Sequence, residues 1–274
     1  MGLRINHNIS AMNTHRQLTK TDTMLSSSLE KLSSGLRINR AADDSAGLAI
    51  SQRLRSQVDG LRMASQNAAQ ATNMVQTAEG SLNEIHNMLG RMRELAVQAA
   101  SDTVTSADRA SLNAEFASLR DEIDRISKAA NYNNKNLLDG TFTDQKFQIG
   151  ANGTADNQIT ISIDAVDSTQ LGIGTAEITD LNTAVTTIGQ MDEAINKVSD
   201  TRSALGSIQN RLGYTVASVD NAAENLASSE STIRDLDISN EITNFTKAQI
   251  LTQAGMSMLA QANAVPQNVL ALFR

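Results

Sequence analysis

The sequence predicts a mainly α protein, a long antiparallel coiled coil or helical bundle that carries a small β-hairpin region. Three observations predict it. Apolar residues recur at alternating steps of three and four along most of the 274 residues, the spacing that lets helices bury one face against each other. The 40% apolar content is drawn largely from Ala, Leu, Ile, Val and Met, with no Trp, two Tyr and five Phe, which suits narrow helix–helix seams. A single Pro leaves long stretches free of helix breakers.

In chain order, Leu18, Leu25, Leu29, Leu32 and Leu36 form the first stripe. The second runs from Leu61, Ala64 and Ala68 through Val75, Ala78, Leu82, Ile85, Leu89 and Met92 to Ala96 and Ala99. A helix over residues 45–100 would span roughly 80 Å at the usual helical rise. After a break at residues 101–107, Leu112, Phe116, Leu119, Ile123 and Ile126 define a third helix, with Ser106 or Asp108 as its cap.

Lys146–Ile149 and Gln158–Ile163 alternate apolar and polar residues around the segment GANGTADN. That pattern predicts a β-hairpin within residues 140–175. Residues 164–184, rich in Gly, Thr and Asp, read as an exposed outer tip. Ile188, Met191, Ile195 and Val198 then open another stripe, which Arg202 interrupts and which resumes from Leu205, Ile208 and Leu212 to Ile233. The last stripe is Leu251, Met258, Ala262, Val265, Val269 and Leu272, with Gly255 at an intermediate step.

Two terminal amphipathic helices have no other partner in sequence, so they are expected to meet each other or copies from neighbouring subunits. Isolated helices of this kind are marginal in water; order in both tails is expected only on assembly. The polymerisation seam predicted from these stripes is Leu18, Leu25, Leu29, Leu32, Leu36, Leu251, Met258, Val265, Val269 and Leu272.

Several function classes find no support. A net charge of −7 without a basic patch argues against nucleic-acid binding. The absence of Cys excludes disulfides and thiolate metal sites. No stretch reaches the length of a membrane span, and the N-terminus lacks the apolar core of a secretory signal. His7, His15 and His86 have no partner at metal-ligand spacing, and no HExxH, GxSxG, Walker A or GxGxxG motif occurs. The Asp43–Asp44 pair reads as helix capping and local pairing with Arg37 or Arg40. No cofactor and no catalytic or metal site are expected. Met88, Met92, Met256 and Met258 fit seam filler, or adaptable packing between subunits.

Long motifs then carry a resemblance. RINHNISAMNTHRQL, LEKLSSGLRINRAADDSAGLAIS, RMRELAVQAASDT and NAEFASLRDEIDRISKAANYNNKNLLDG, with SIQNRLGYTVASV and TKAQILTQAGMSMLAQANAVPQNVLALFR, resemble the bacterial flagellins over about residues 1–150 and 185–274. The resemblance implies a structural subunit, not an enzyme, that self-assembles into the extracellular flagellar filament for motility. It also implies export in unfolded form through the flagellar type III apparatus. The implied inner domain is residues 1–44 plus 234–274, and the rod-like helical domain is residues 45–185 plus 186–233. No large outer domain fits between the halves, so the chain is similar to a minimal flagellin.

Implied partners are copies of the chain, a secretion chaperone for the C-terminal helix, and the filament cap and hook-junction proteins. Toll-like receptor 5 is a further implied partner. Its contact segment resembles residues 89–98, with Arg91, Leu95 and Glu115 as candidate contacts and Gly90 departing from the pattern. A non-polymerising helical adaptor with similar ends is the alternative, and the closely matched pair of ends favours the filament.

Overall fold

A computed structural model describes residues 7–272, with side chains described through residue 264. In chain order come α1 (Ile9–Ser34), α2 (Ser45–Ala99), α3 (Ser106–Ala129), β1 (Asn131–Tyr132) and β2 (Lys135–Asn136). These are followed by β3 (Gln145–Gln148), a 3-10 turn at Ala155–Asn157, β4 (Gln158–Ile161), α4 (Ser168–Leu171), α5 (Leu181–Arg234) and α6 (Ile238–Leu272). The chain divides into two compact units, Met1–Ser56 with Asn225–Arg274, and Gln57–Glu224.

The Gln57–Glu224 unit is built on the predicted heptads. Every stripe position of α2 from Ala64 to Ala99 is buried, and Leu61 is half-buried. Met191, Val198, Leu205 and Leu212 of α5, and Phe116 and Ile123 of α3, complete this seam at 1% exposure or less. Small Ala residues alternating with Leu, Ile and Met let side chains of one helix sit between those of the next. Polar pairs tie α2 to α5 along the seam's edge. Arg93 Nε donates to Asp192 Oδ1 at 2.7 Å, and Gln209 Nε2 to Glu79 Oε2 at 2.8 Å. Arg202 does not break α5; its Nη2 lies 3.9 Å from Glu79 Oε1.

Helix α3 begins at Ser106, and its N-cap is Thr105 rather than the expected Ser106 or Asp108. Thr105 accepts from Asp108 N at 3.3 Å, and Asp108 Oδ2 accepts from Thr105 N at 3.4 Å, a reciprocal capping box. Arg109 closes the preceding loop by donating to the carbonyls of Ala99 and Ser101, both at 2.8 Å.

The predicted hairpin is β3 paired antiparallel with β4, Phe147 opposite Ile159. Asn67 Nδ2 of α2 donates to Gln148 O at 3.2 Å and so seats it. A second hairpin, β1 with β2, is absent from the sequence reading. Asn133 (φ 49°) and Asn134 (φ 60°) form its two-residue turn, a left-handed pairing that Asn tolerates well.

Residues 164–184 are not an exposed tip. Val166, Leu171, Ile173, Ala176 and Ile178 are at most 3% exposed. Asp124 of α3 accepts from Ser168 N (2.7 Å) and Ser168 Oγ (2.9 Å), while Asn113 Oδ1 accepts from Ile178 N (3.0 Å). Apolar residues spaced irregularly in a Gly- and Thr-rich segment carry no periodic signal, yet they complete the core.

Candidate polymerisation surface

In the other unit, α1 and α6 pair antiparallel. Asn8 caps α1 by accepting from Ala11 N at 3.0 Å, and its Nδ2 donates to Ala262 O at 2.7 Å. Twenty residues on, Ser28 Oγ donates to Glu241 Oε1 at 2.5 Å. The covered positions of α1 include Ala11, Thr14, Leu18, Thr21, Leu25, Ser28 and Leu32, with Ser27, Glu30 and Lys31 beside them; those of α6 include Glu241, Phe245, Ala248, Thr252, Gly255, Leu259 and Ala262, with Ala264 beyond. Both sets keep alternating three- and four-residue steps, a heptad seam made largely of small and hydroxylated residues. At its middle the helices approach closely: a Cβ on Gly255 would lie 3.2 Å from Leu18 Cδ1.

The breaks at the far ends of these helices are joined. Gly35 ends α1 in a left-handed conformation (φ 71°), its N–H donating to Lys31 O at 2.8 Å. Leu36 and Asp235 then form an antiparallel bridge, with Arg37 N donating to Arg234 O (2.7 Å) and Leu236 N to Gly35 O (3.0 Å). The Arg37 guanidinium caps α5 through Ile233 O.

The Asp pair caps, as its spacing predicts. Asp44 Oδ1 accepts from Gly47 N (2.8 Å) at the start of α2, and Asp43 Oδ2 accepts from the backbone N–H groups of Arg40 and Asn39. Those two bonds, Arg40's first, hold the Asp43 carboxyl below the usual carboxylate range. Neither arginine forms the expected side-chain pair with it: Arg40 turns to Glu30 (2.8 Å) and Arg37 to the Ile233 carbonyl.

Of the predicted seam, Leu18, Leu25, Leu32 and Leu36 are half-buried, whereas Leu29 is 50%, Leu251 46% and Met258 63% exposed. Val265, Val269 and Leu272 lie outside the residues whose side chains are described. The intramolecular seam thus runs through Ala248, Thr252 and Gly255 rather than Leu251 and Met258. Hydropathy singles out large apolar residues and not Thr21, Ser28, Ala248 and Thr252, whose place in the three- and four-residue spacing was the available signal.

What remains is an apolar outer surface on this pair. Ile9, Met12, Met24, Ile238, Ile242, Ile250 and Met256 join Leu29, Leu251 and Met258 there, each between 46% and 63% exposed. Among the described residues this unit holds only two buried apolar side chains, Ile38 and Ala248. Exposed apolar area of this extent marks an association surface.

The candidate receptor contacts lie in the Gln57–Glu224 unit. Arg91 of α2 donates from Nε to Glu115 Oε1 of α3 (2.9 Å) and from Nη1 to Glu94 (3.1 Å), and these bonds raise its pKa further. Leu95 is fully buried. Of the three, only Arg91 and Glu115 present side chains to solvent.

Comparison with known proteins accounts for this arrangement. Residues 5–143 match the model of the bacterial flagellin N-terminal helical region, and residues 188–273 that of the C-terminal helical region. Flagellin of Halalkalibacterium halodurans is 46% identical, with 98% of this chain and 99% of that one aligned. Flagellin of Bacillus subtilis is 45% identical over 99% of this chain and all of its own length. The crystal structure of Bacillus cereus flagellin is 35% identical, with a TM-score of 0.50, covering 60% of this chain and 94% of that one. Family models matched across both helical ends, over a chain whose ends pair as α1 and α6, lead to one conclusion: this chain belongs to the bacterial flagellins.

Proposed function

We propose how this chain serves its family's role: as a flagellin it is a structural subunit of the extracellular flagellar filament, and the outer faces of α1 and α6 are the surfaces that polymerise. The supporting observation is the mismatch, among the residues whose side chains are described, between ten exposed large apolar residues on that helix pair and a single buried apolar one, Ala248. Covering each Leu, Ile or Met contributes ~1.5–3 kcal/mol, so neighbouring copies stabilise what the lone subunit leaves wet. The role is scaffolding, with no catalytic step.

Truncation tests this reading. A chain lacking residues 251–274 is expected to remain a soluble, partly folded monomer and to give no seeded growth by light scattering. Normal filaments from that chain would sink the mechanism.

The finer partners follow from family resemblance. A secretion chaperone would hold the C-terminal helix before export through the type III apparatus, and cap and hook-junction proteins would meet the filament's ends. Recognition by Toll-like receptor 5 would rest on Arg91 and Glu115, with Leu95 acting from beneath the surface by packing α2. A receptor reporter assay on Arg91→Ala and Glu115→Ala subunits checks this; unchanged signalling from both removes the receptor from the list of partners.

A further inference from the structure

The methionines divide between the two units. In Gln57–Glu224, Met74, Met92 and Met191 are at most 3% exposed, Met88 is half-buried, and only Met63 is open, at 56%. In the other unit every described methionine is open: Met12 60%, Met24 62%, Met256 53% and Met258 63%. Met12 also lines a cleft of ≈660 Å³ with His15, Lys20 and Leu259, and Met24 one of ≈460 Å³ with Lys247 and Leu251. These are clefts in the pair assigned above to polymerisation. A thioether in such a position is a soft apolar contact that water-borne oxidants reach freely.

We propose that Met12, Met24, Met256 and Met258 form an oxidation-sensitive set that controls assembly. Hydrogen peroxide converts them to sulfoxides in the free subunit, which stops polymerisation; enzymatic reduction of the sulfoxides by a dithiol, which is oxidised to its disulfide as the oxygen leaves as water, restores it. In each oxidation the sulfur lone pair attacks one peroxide oxygen. The S–O bond forms as the O–O bond breaks, the departing hydroxide takes the proton from the oxygen now on sulfur and leaves as water, and sulfur is oxidised by two electrons. The sulfoxide turns an apolar thioether into a strongly hydrated polar group, and covering it against a neighbouring copy strips that hydration. The inference rests on the reading that neighbouring copies cover these faces, which also predicts that the filament shields the same four sulfurs.

Two measurements test it. Intact subunits and finished filaments are exposed to peroxide, and sulfoxide at each methionine is followed by peptide mass spectrometry. All four should oxidise in the subunit before Met74, Met92 and Met191, and roughly tenfold more slowly in the filament. Equal rates in both states overturn the covering of these faces, and this proposal with it. Peroxide-treated subunits are then offered to seeds. Growth should slow roughly tenfold or more and recover after treatment with methionine sulfoxide reductases A and B together. Met63→Leu should leave that sensitivity unchanged, whereas the combined Met12→Leu, Met24→Leu, Met256→Leu, Met258→Leu chain should lose it. Undiminished growth of oxidised subunits, or no recovery on reduction, overturns the oxidation control alone and leaves the polymerising faces standing.

Discussion

The two units use one periodicity for different ends. Between Gln57 and Glu224 the heptad positions of α2 and α5 carry Leu, Ile, Met and Ala, and they bury inward until Leu82, Ile85, Leu89 and Met92 have no exposed surface. Along α1 and α6 the buried positions are Thr21, Ser28 and Ala248; Leu18, Leu25, Leu32, Phe245 and Leu259 are only half-buried, and ten large apolar residues among those described face out. Where bulk points in, a subunit can stand alone; where bulk points out, its stability depends on copies of itself.

Leucine truncation provides the largest contrast. Leu89→Ala should cost about 3–5 kcal/mol of subunit stability in urea unfolding, through lost burial and the cavity left behind. The same change at Leu251 should move subunit stability by no more than about 0.5 kcal/mol and instead raise the concentration needed for filament growth, read by sedimentation. Equal losses at both positions would erase the distinction between the units. A narrower probe is Gly255→Val. Its branched side chain must push into Leu18, already 3.2 Å from the position of a Cβ, so amide exchange in α1 and α6 should accelerate while that of α2 residues 64–99 holds.

A smaller effect is expected at the α3 cap. Thr105→Ala removes an acceptor from the first turn and should cost about 1 kcal/mol in the same unfolding experiment. Smallest is the exposed Asp43. Its pKa is depressed in the folded chain, so its contribution is fully present above the ordinary carboxylate pKa and fades as pH falls through the lower folded value. Asp43→Asn should therefore narrow the stability difference between pH 7 and pH 3 slightly. An unchanged difference would mean that the two backbone bonds persist in the unfolded chain.

Legibility in the sequence follows the same division. The long seam was readable because Leu, Ile and Met at α2 and α5 positions agree in period and in burial. The β3–β4 hairpin was readable from Phe147, Ile159 and Ile161 alternating around a turn-rich segment. The β1–β2 hairpin was not, since two-residue strands have no period and the Asn133–Asn134 turn is the whole signal. Residues 164–184 misled because their anchors are non-local: Ser168 and Ile178 donate backbone N–H groups to the side chains of Asp124 and Asn113, 44 and 65 positions away, and so hold this aperiodic segment against the core. At α6 the expected stripe shares Gly255 and Ala262 with the covered face, while Leu251 and Met258 face outward. Leu251 and Met258 outrank Ala248 and Thr252 in hydropathy, whereas close approach at Gly255 selects small neighbours.

Asn8 and Ala262, joined by one hydrogen bond, stand 254 residues apart along the chain. A contact that distant closes slowly, and on a ribosome it cannot close before residue 262 has been made. Helix α1 therefore waits, unpaired, through the synthesis of every element that lies between it and α6.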